Sequence, residues 1–209
     1  MSIETLVYTI LVEGVKRSYL KMHFRETFSL EYIHREVLKC WSEPHRYWHT
    51  LAHLAHFLKR ISELFSKKMI TEEEFYTLSI AAIYHDIVYI PGDKSNEVNS
   101  AAVLYTHFAP SETRKAAAQL IMHTAKMEPG NTFLEIFMFE CDWYVLLYGD
   151  MEALLQYEEG ISKEFGSVSP SLYREGRIAF LEKAKFLCAD NQENIQELIK
   201  YIQQKYLTD

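Results

Sequence analysis

Apolar residues recur at three- and four-residue spacing along almost the whole chain, and turn-forming residues fall between the periodic stretches rather than inside them. That pattern predicts helices near 3–20, 28–42, 46–66, 71–89, 96–108, 111–127, 131–148, 150–165, 170–188 and 190–206. Several boundaries have a physical reason. Thr71-Glu72-Glu73-Glu74 is a capping-box sequence, Ser111 and Ser169 are placed to accept from orphan amides, and Pro170 falls in a first turn, where its missing N–H costs nothing. Pro91-Gly92-Asp93, Pro129-Gly130-Asn131 and Gly166 supply the stops. With only seven glycines and five prolines, there is little material for hairpins. Short connections should pack successive helices against one another, so the expectation is an all-α helical bundle forming one domain over 1–209.

Composition narrows the function. A chain of 209 residues buries enough apolar surface to fold without disulfides or a structural metal, so a metal here would serve function. The formal net charge is −7, and no stretch gathers a run of Lys and Arg, which argues against a nucleic-acid polymer or an anionic membrane as partner. Cys40, Cys141 and Cys188 are odd in number and widely spaced in apolar surroundings, as reduced core thiols are. Glu4 stands where a secretion signal wants positive charge, Glu13 breaks the first apolar run, and no apolar run approaches the ~18 residues of a membrane span. A soluble, cytoplasmic protein is expected.

Three segments break the apolar pattern in ways that ask for chemistry. In Arg46-Tyr47-Trp48-His49-Thr50-Leu51-Ala52-His53-Leu54-Ala55-His56, the three histidines follow the i, i+4, i+7 spacing of one helical face. Any one of them alone reads as a half-buried histidine bonded to backbone or water. In Tyr84-His85-Asp86-Ile87-Val88-Tyr89, a His and an Asp interrupt the most apolar helix of the chain. A buried carboxylate without compensation costs several kcal/mol, so Asp86 needs a cation, a set of donors or a metal beside it, a salt bridge to an arginine being the plain alternative. Asp142 raises the same question within Phe137-Met138-Phe139-Glu140-Cys141-Asp142-Trp143. Glu140 lies about 200° around the helix from it, so Asp142 is expected inward and Glu140 near the surface.

Together, His49, His85, Asp86 and Asp142 are two imidazoles and two carboxylates on three helices that short loops would bring side by side. Such a nitrogen and oxygen set suits one divalent ion such as manganese, nickel, iron or zinc, whereas magnesium prefers oxygen alone. Residues 85 and 86 point about 100° apart, so they can converge only on an ion lying beside the helix.

An isolated His, a His-Asp doublet inside an apolar helix and a distant Asp resemble the signature of the HD-domain superfamily of metal-dependent phosphohydrolases. The flanks are similar to one branch of predicted HD phosphohydrolases of this length, through Ser42-Glu43-Pro44, Arg46-Tyr47-Trp48-His49, His53, Tyr84-His85-Asp86, Tyr89, Asn96-Glu97, Ser100-Ala101, Thr124, Asp142, Tyr157, Ile161, Glu164-Phe165, Tyr173 and Gly176-Arg177. The resemblance spans residues 42–188, leaving 1–41 and 189–209 as flanking helices. It implies an all-helical HD fold, one metal held by His49, His85, Asp86 and Asp142, and hydrolysis of a phosphate ester or anhydride of a small molecule, a nucleotide being one option. The chain departs from the branch at Trp48, where a tyrosine is usual, and at Met127, where a histidine is usual. Tyr89 replaces the glutamate that HD nucleotidases carry, so their proton-transfer role does not transfer.

On this reading Arg46, Lys94 and Arg177 are the cations that would neutralise phosphate charge, and His53 faces substrate or supports a ligand. Glu97 is the residue proposed to orient or deprotonate water, the alternative being a favourable helix-terminal charge. Asp86 counts as both ligand and catalytic residue. Two other functions fit the same residues: a metal-binding or ligand-sensing HD protein without turnover, and an HD oxygenase using a di-iron pair. A helical interaction protein with a buried polar network is the blandest option.

Overall fold

In the computed structural model, residues 1–16, 25, 28–126 and 128–205 are described, and every regular element among them is helical. In chain order these are α1 (Ile3–Lys16), α2 (Leu30–Trp41), α3 (Leu51–Ser66), α4 (Glu72–Tyr84), α5 (Asn96–His107) and α6 (Glu112–Thr124). They continue with α7 (Phe133–Asp142), α8 (Tyr144–Tyr148), α9 (Met151–Glu164), α10 (Pro170–Leu187), a 3-10 turn (Ala189–Asn191) and α11 (Gln192–Lys205). The all-α expectation is met. The expected continuations through 17–20, Met127 and residue 206 lie outside the described residues.

The chain divides into two compact units: residues up to Pro44 with His49–Cys141, and His45–Trp48 with residues from Asp142 onward. The first unit is organised around α4. Every residue from Tyr76 to Tyr84 is buried, as expected of a helix apolar on all sides, and α1, α3, α5 and α6 pack against it. Leu54, Phe57 and Ile61 of α3 and Leu120 and Ile121 of α6 join this core with Phe137 and Met138 of α7. The second unit is built from amphipathic helices. Ile195, Leu198, Ile199 and Ile202 form the buried stripe of α11, which packs on α9 and α10.

Caps explain many of the boundaries. The box at Thr71 forms in full, with Thr71 Oγ1 accepting from Glu74 N–H and the Glu74 carboxylate accepting from Thr71 N–H. Ser111 accepts from Arg114 N–H, while Ser169 makes no side-chain cap and Pro170 opens α10 as expected.

Three boundaries differ from the sequence reading, and each matters for the site. The stretch expected as one helix over 46–66 begins only at Leu51, because Thr50 takes an extended backbone and its hydroxyl accepts from Ala52 N–H. His49 therefore precedes the helix that carries His53 and His56. The helix expected over 71–89 stops at Tyr84. Its last-turn carbonyls are claimed by side chains: Trp41 Nε1–H donates to Ile83 O (2.9 Å) and His85 Nδ1–H to Ala82 O (2.9 Å). The strand of chain that follows is held by α5, with Ser100 Oγ accepting from Val88 N–H and Asn96 pairing both ways with the Ile90 backbone. The helix expected over 131–148 is broken at Trp143 into α7 and α8.

Candidate metal centre

His53 comes from the first turn of α3, His85 is the residue at which α4 ends, and Asp142 is the last residue of α7. Each offers one ligand atom such that all three lie within 4.8 Å of one another. The boundary between the two units falls between Cys141 and Asp142, but the helix that positions Asp142 belongs otherwise to the first unit. His53 and His85 are buried and Asp142 is half-buried.

The tautomer of His85 is set by its backbone partner. A carbonyl oxygen only accepts, so the contact to Ala82 O puts a proton on Nδ1. The opposite nitrogen, Nε2, stands 3.2 Å from Asp86 Oδ2. With Nδ1 already protonated, Nε2 meets that carboxylate either as an imidazolium N–H or as a lone pair. In the second case two acceptors face each other, an arrangement that a cation between them relieves. Burial pushes the Asp86 carboxyl up, but the charge of His85, its hydrogen bond, and the charges of His49 and His53 outweigh that and hold it well below the usual carboxylate range.

The surrounding rings fix these side chains. The His85 imidazole lies 4.8 Å from the Phe57 ring, 5.5 Å from Trp41 and 5.5 Å from His53. His49 lies 5.7 Å from His53 and 4.3 Å from the Tyr89 ring. The structure thus brings four histidine and aspartate positions of the sequence reading into one neighbourhood with His53. The compact ligand group differs from the expected one: it contains His53, and it does not contain His49 or Asp86. The reason is the start of α3. Once the helix begins at Leu51, His49 is delivered by the preceding loop rather than by the helical face that carries His53. The spacing of four between the histidines was visible in sequence, but which of them enters the group depends on the cap at Thr50.

The donor set fits a divalent ion of intermediate hardness. Bonds of about 2.1 Å place adjacent ligand atoms about 3.0–3.4 Å apart, closer than the 4.8 Å within which the three atoms of this group lie.

The remaining site residues of the sequence reading are placed as follows. Arg46 is buried in the second unit, on the segment His45–Trp48. That segment is clamped by Glu164, whose Oε1 accepts from Tyr47 N–H (2.8 Å) and Trp48 N–H (2.7 Å). Trp48 packs edge-on against Tyr157 and over Gly160, where a Cβ would come within 3.1 Å of the Trp48 Cβ. Lys94 is exposed in the loop before α5, and Glu97 is half-buried in the first turn of that helix. Arg177 is buried and donates through Nε to Glu158 Oε2 (2.8 Å), so its charge is matched by a carboxylate of its own unit. The sequence reading offered Arg177 to a phosphate and did not single out Glu158. A signal was present, since a Glu inside the otherwise buried face of 150–165 needs a cation as much as Asp86 does. Glu140 is partly exposed, 3.8 Å from Arg60, as expected.

Comparison of the chain with models of protein families, with curated proteins and with solved structures finds no match. Among the described residues, no helix is long and apolar enough to cross a membrane.

Proposed function

We propose that the chain is a metal-dependent phosphohydrolase of HD type, acting on a small phosphate ester or anhydride. The observation that carries this reading is the group formed by His53, His85 and Asp142, with ligand atoms within 4.8 Å of one another beside the buried carboxylate of Asp86. When bound, a divalent ion supplies an acidified water and polarises a phosphoryl oxygen. The protein's own groups do the rest. Ala82 O holds the His85 ring in the tautomer that presents Nε2. Asp86, packed beside that nitrogen, balances positive charge in the site. Phe57 and Trp41 exclude bulk water from the back of the imidazole, which strengthens every charge interaction in front of it. Among the named cations, Arg46 is buried, Lys94 is exposed and Arg177 is engaged by Glu158.

That engagement of Arg177 favours a second reading, a metal-binding or ligand-sensing protein without turnover, because it removes one of the charges a phosphoryl transition state needs. Elemental analysis of the purified protein and of its Asp86→Ala variant, followed by phosphate release from a panel of nucleotides and phosphoesters with manganese, nickel, zinc and magnesium, separates the readings. One metal per chain, lost in the variant and accompanied by release, supports the hydrolase. Metal without release supports the second reading, two irons with an oxygen-dependent reaction support the oxygenase, and no metal under any loading condition overturns the site.

A further inference from the structure

Helix α10 carries two stripes. Tyr173, Arg177, Leu181 and Ala184 are buried on the side where α11 packs. On the opposite side Leu172, Glu175, Gly176, Ala179, Lys183 and Phe186 are exposed. At about 100° per residue, all of these lie within about 60° of Ala179 around the helix. Apart from Met1, Phe186 (79% exposed) and Leu172 (64%) are the most exposed large apolar side chains among the described residues. Scattered exposed apolar residues are ordinary, but the two most prominent ones at either end of a single stripe ask for a partner. Between them the stripe is low, since a Cβ added at Gly176 would meet no atom within 4 Å and Ala179 carries only a methyl, so a second helix can approach closely.

The order of residues along the stripe indicates what covers it. Leu172 and Phe186 stand seven residues either side of Ala179, and Glu175 and Lys183 stand four either side. A two-fold axis crossing the helix at Ala179 therefore sets Leu172 of one copy beside Phe186 of the other, and Glu175 beside Lys183, once at each end. Within one chain Glu175 and Lys183 are about 12 Å apart along the axis, beyond the i, i+4 reach of a helical ion pair. Glu182, the other acid at the edge of the stripe, is already matched by Lys185 of its own chain at 2.9 Å. A parallel pairing would set Glu175 against Glu175 and Lys183 against Lys183, so the charges select the antiparallel one.

We propose that this face of α10 is a homodimer interface, in which two copies of the chain pair antiparallel about Ala179. The contact is one helix pair over about 21 Å, smaller than the roughly 800 Å² per partner of a standard interface, so the dimer is a weak one. Sedimentation equilibrium of the full-length chain from about 5 to about 500 µM should show a reversible monomer–dimer equilibrium. Ala179→Glu sets two carboxylates against each other on the two-fold axis and should leave the chain monomeric throughout, with its urea midpoint unchanged because the position is exposed. Glu175→Lys and Lys183→Glu should each weaken dimerisation about tenfold, and the two together, which restore both the pairs and the net charge, should recover it. A monomer at every concentration, which would leave the face to a different protein, a dimer that survives Ala179→Glu, or a double charge variant no better than the single ones would each overturn the proposal.

Discussion

Two buried polar clusters of this chain are built on opposite principles. In the second unit, Glu158 is fully buried and both its oxygens are met by donors: the Tyr173 hydroxyl gives to Oε1 (2.7 Å) and Arg177 Nε to Oε2 (2.8 Å). The guanidinium lies over the Tyr157 ring at 4.6 Å and the Phe180 ring at 5.0 Å, so it is packed on its faces as well as paired at its edge. One positive charge meets one negative charge, so the cluster is closed in charge, although Arg177 Nη2 is buried without a hydrogen-bond partner among the described residues. In the candidate metal centre, His53, His85, Asp86 and Asp142 bring together two carboxylates and two imidazoles, each of which keeps one acceptor nitrogen when neutral. Such a cluster gains balance from protons or from a bound cation. Burial alone does not mark a site; the sign of what remains to be balanced does.

The largest effect that would test this contrast is in the closed cluster. Glu158→Ala leaves Arg177 buried without its carboxylate and should cost about 3–5 kcal/mol, read as a lower midpoint in urea unfolding, with metal content unchanged. Replacing both partners, Glu158→Leu with Arg177→Met, should restore most of that stability, since an ion pair exchanged for apolar side chains of similar volume is close to neutral.

In the open cluster the expectation reverses. His85→Ala should lower metal affinity by at least about 100-fold while the unfolding midpoint of the metal-free protein changes far less than in Glu158→Ala. Equal loss of stability in the two variants would erase the distinction. A finer comparison sets His53→Ala against His49→Ala: the former should weaken metal binding more, because His53 belongs to the compact ligand group and His49 does not. Competition with a chromophoric chelator measures both.

The smallest effect concerns pH. Burial, followed for His56 by the charge of Arg60, lowers the pKa of His56 and His107 in the folded protein. The folded state then binds fewer protons than the unfolded chain, so stability should be complete above about pH 6.5, the unfolded value, and decline as pH falls below it. Metal affinity should weaken in the same direction, since protonated imidazoles do not ligate. Urea midpoints of the metal-free protein at pH 5.5 and 7.5, with and without His56→Phe and His107→Phe, would show it.

Much of the helical order was legible along the chain because it rests on local causes: the three- to four-residue apolar period, the box at Thr71, the cap at Ser111 and the proline at 170. Of the boundaries that failed, the start of α3 was set by the local cap at Thr50, while the end of α4 was set partly by a distant group. The end of α4 depends on Trp41 and on the His85 ring taking the carbonyls of Ile83 and Ala82, and the chain after it is tied down by Asn96 and Ser100. The site followed the same division. Asp86 and Asp142 were conspicuous because a carboxylate in an apolar segment demands a partner whatever the fold. Whether His49 or His53 stands with them turned on a single hydroxyl cap, and whether Arg177 was available turned on Glu158, nineteen residues away on another helix.

By itself, then, the sequence determined that the chain is helical, which of its helices is the most apolar, and that imidazoles and carboxylates must be reconciled inside an apolar interior. Those follow from periodicity and from the cost of burying charge, which act on each segment alone. Only the tertiary structure decided which of those groups face one another and which are already balanced. Charge pairing and ligand grouping depend on distances of a few ångströms between different helices, and that information resides in the packing rather than in any one segment.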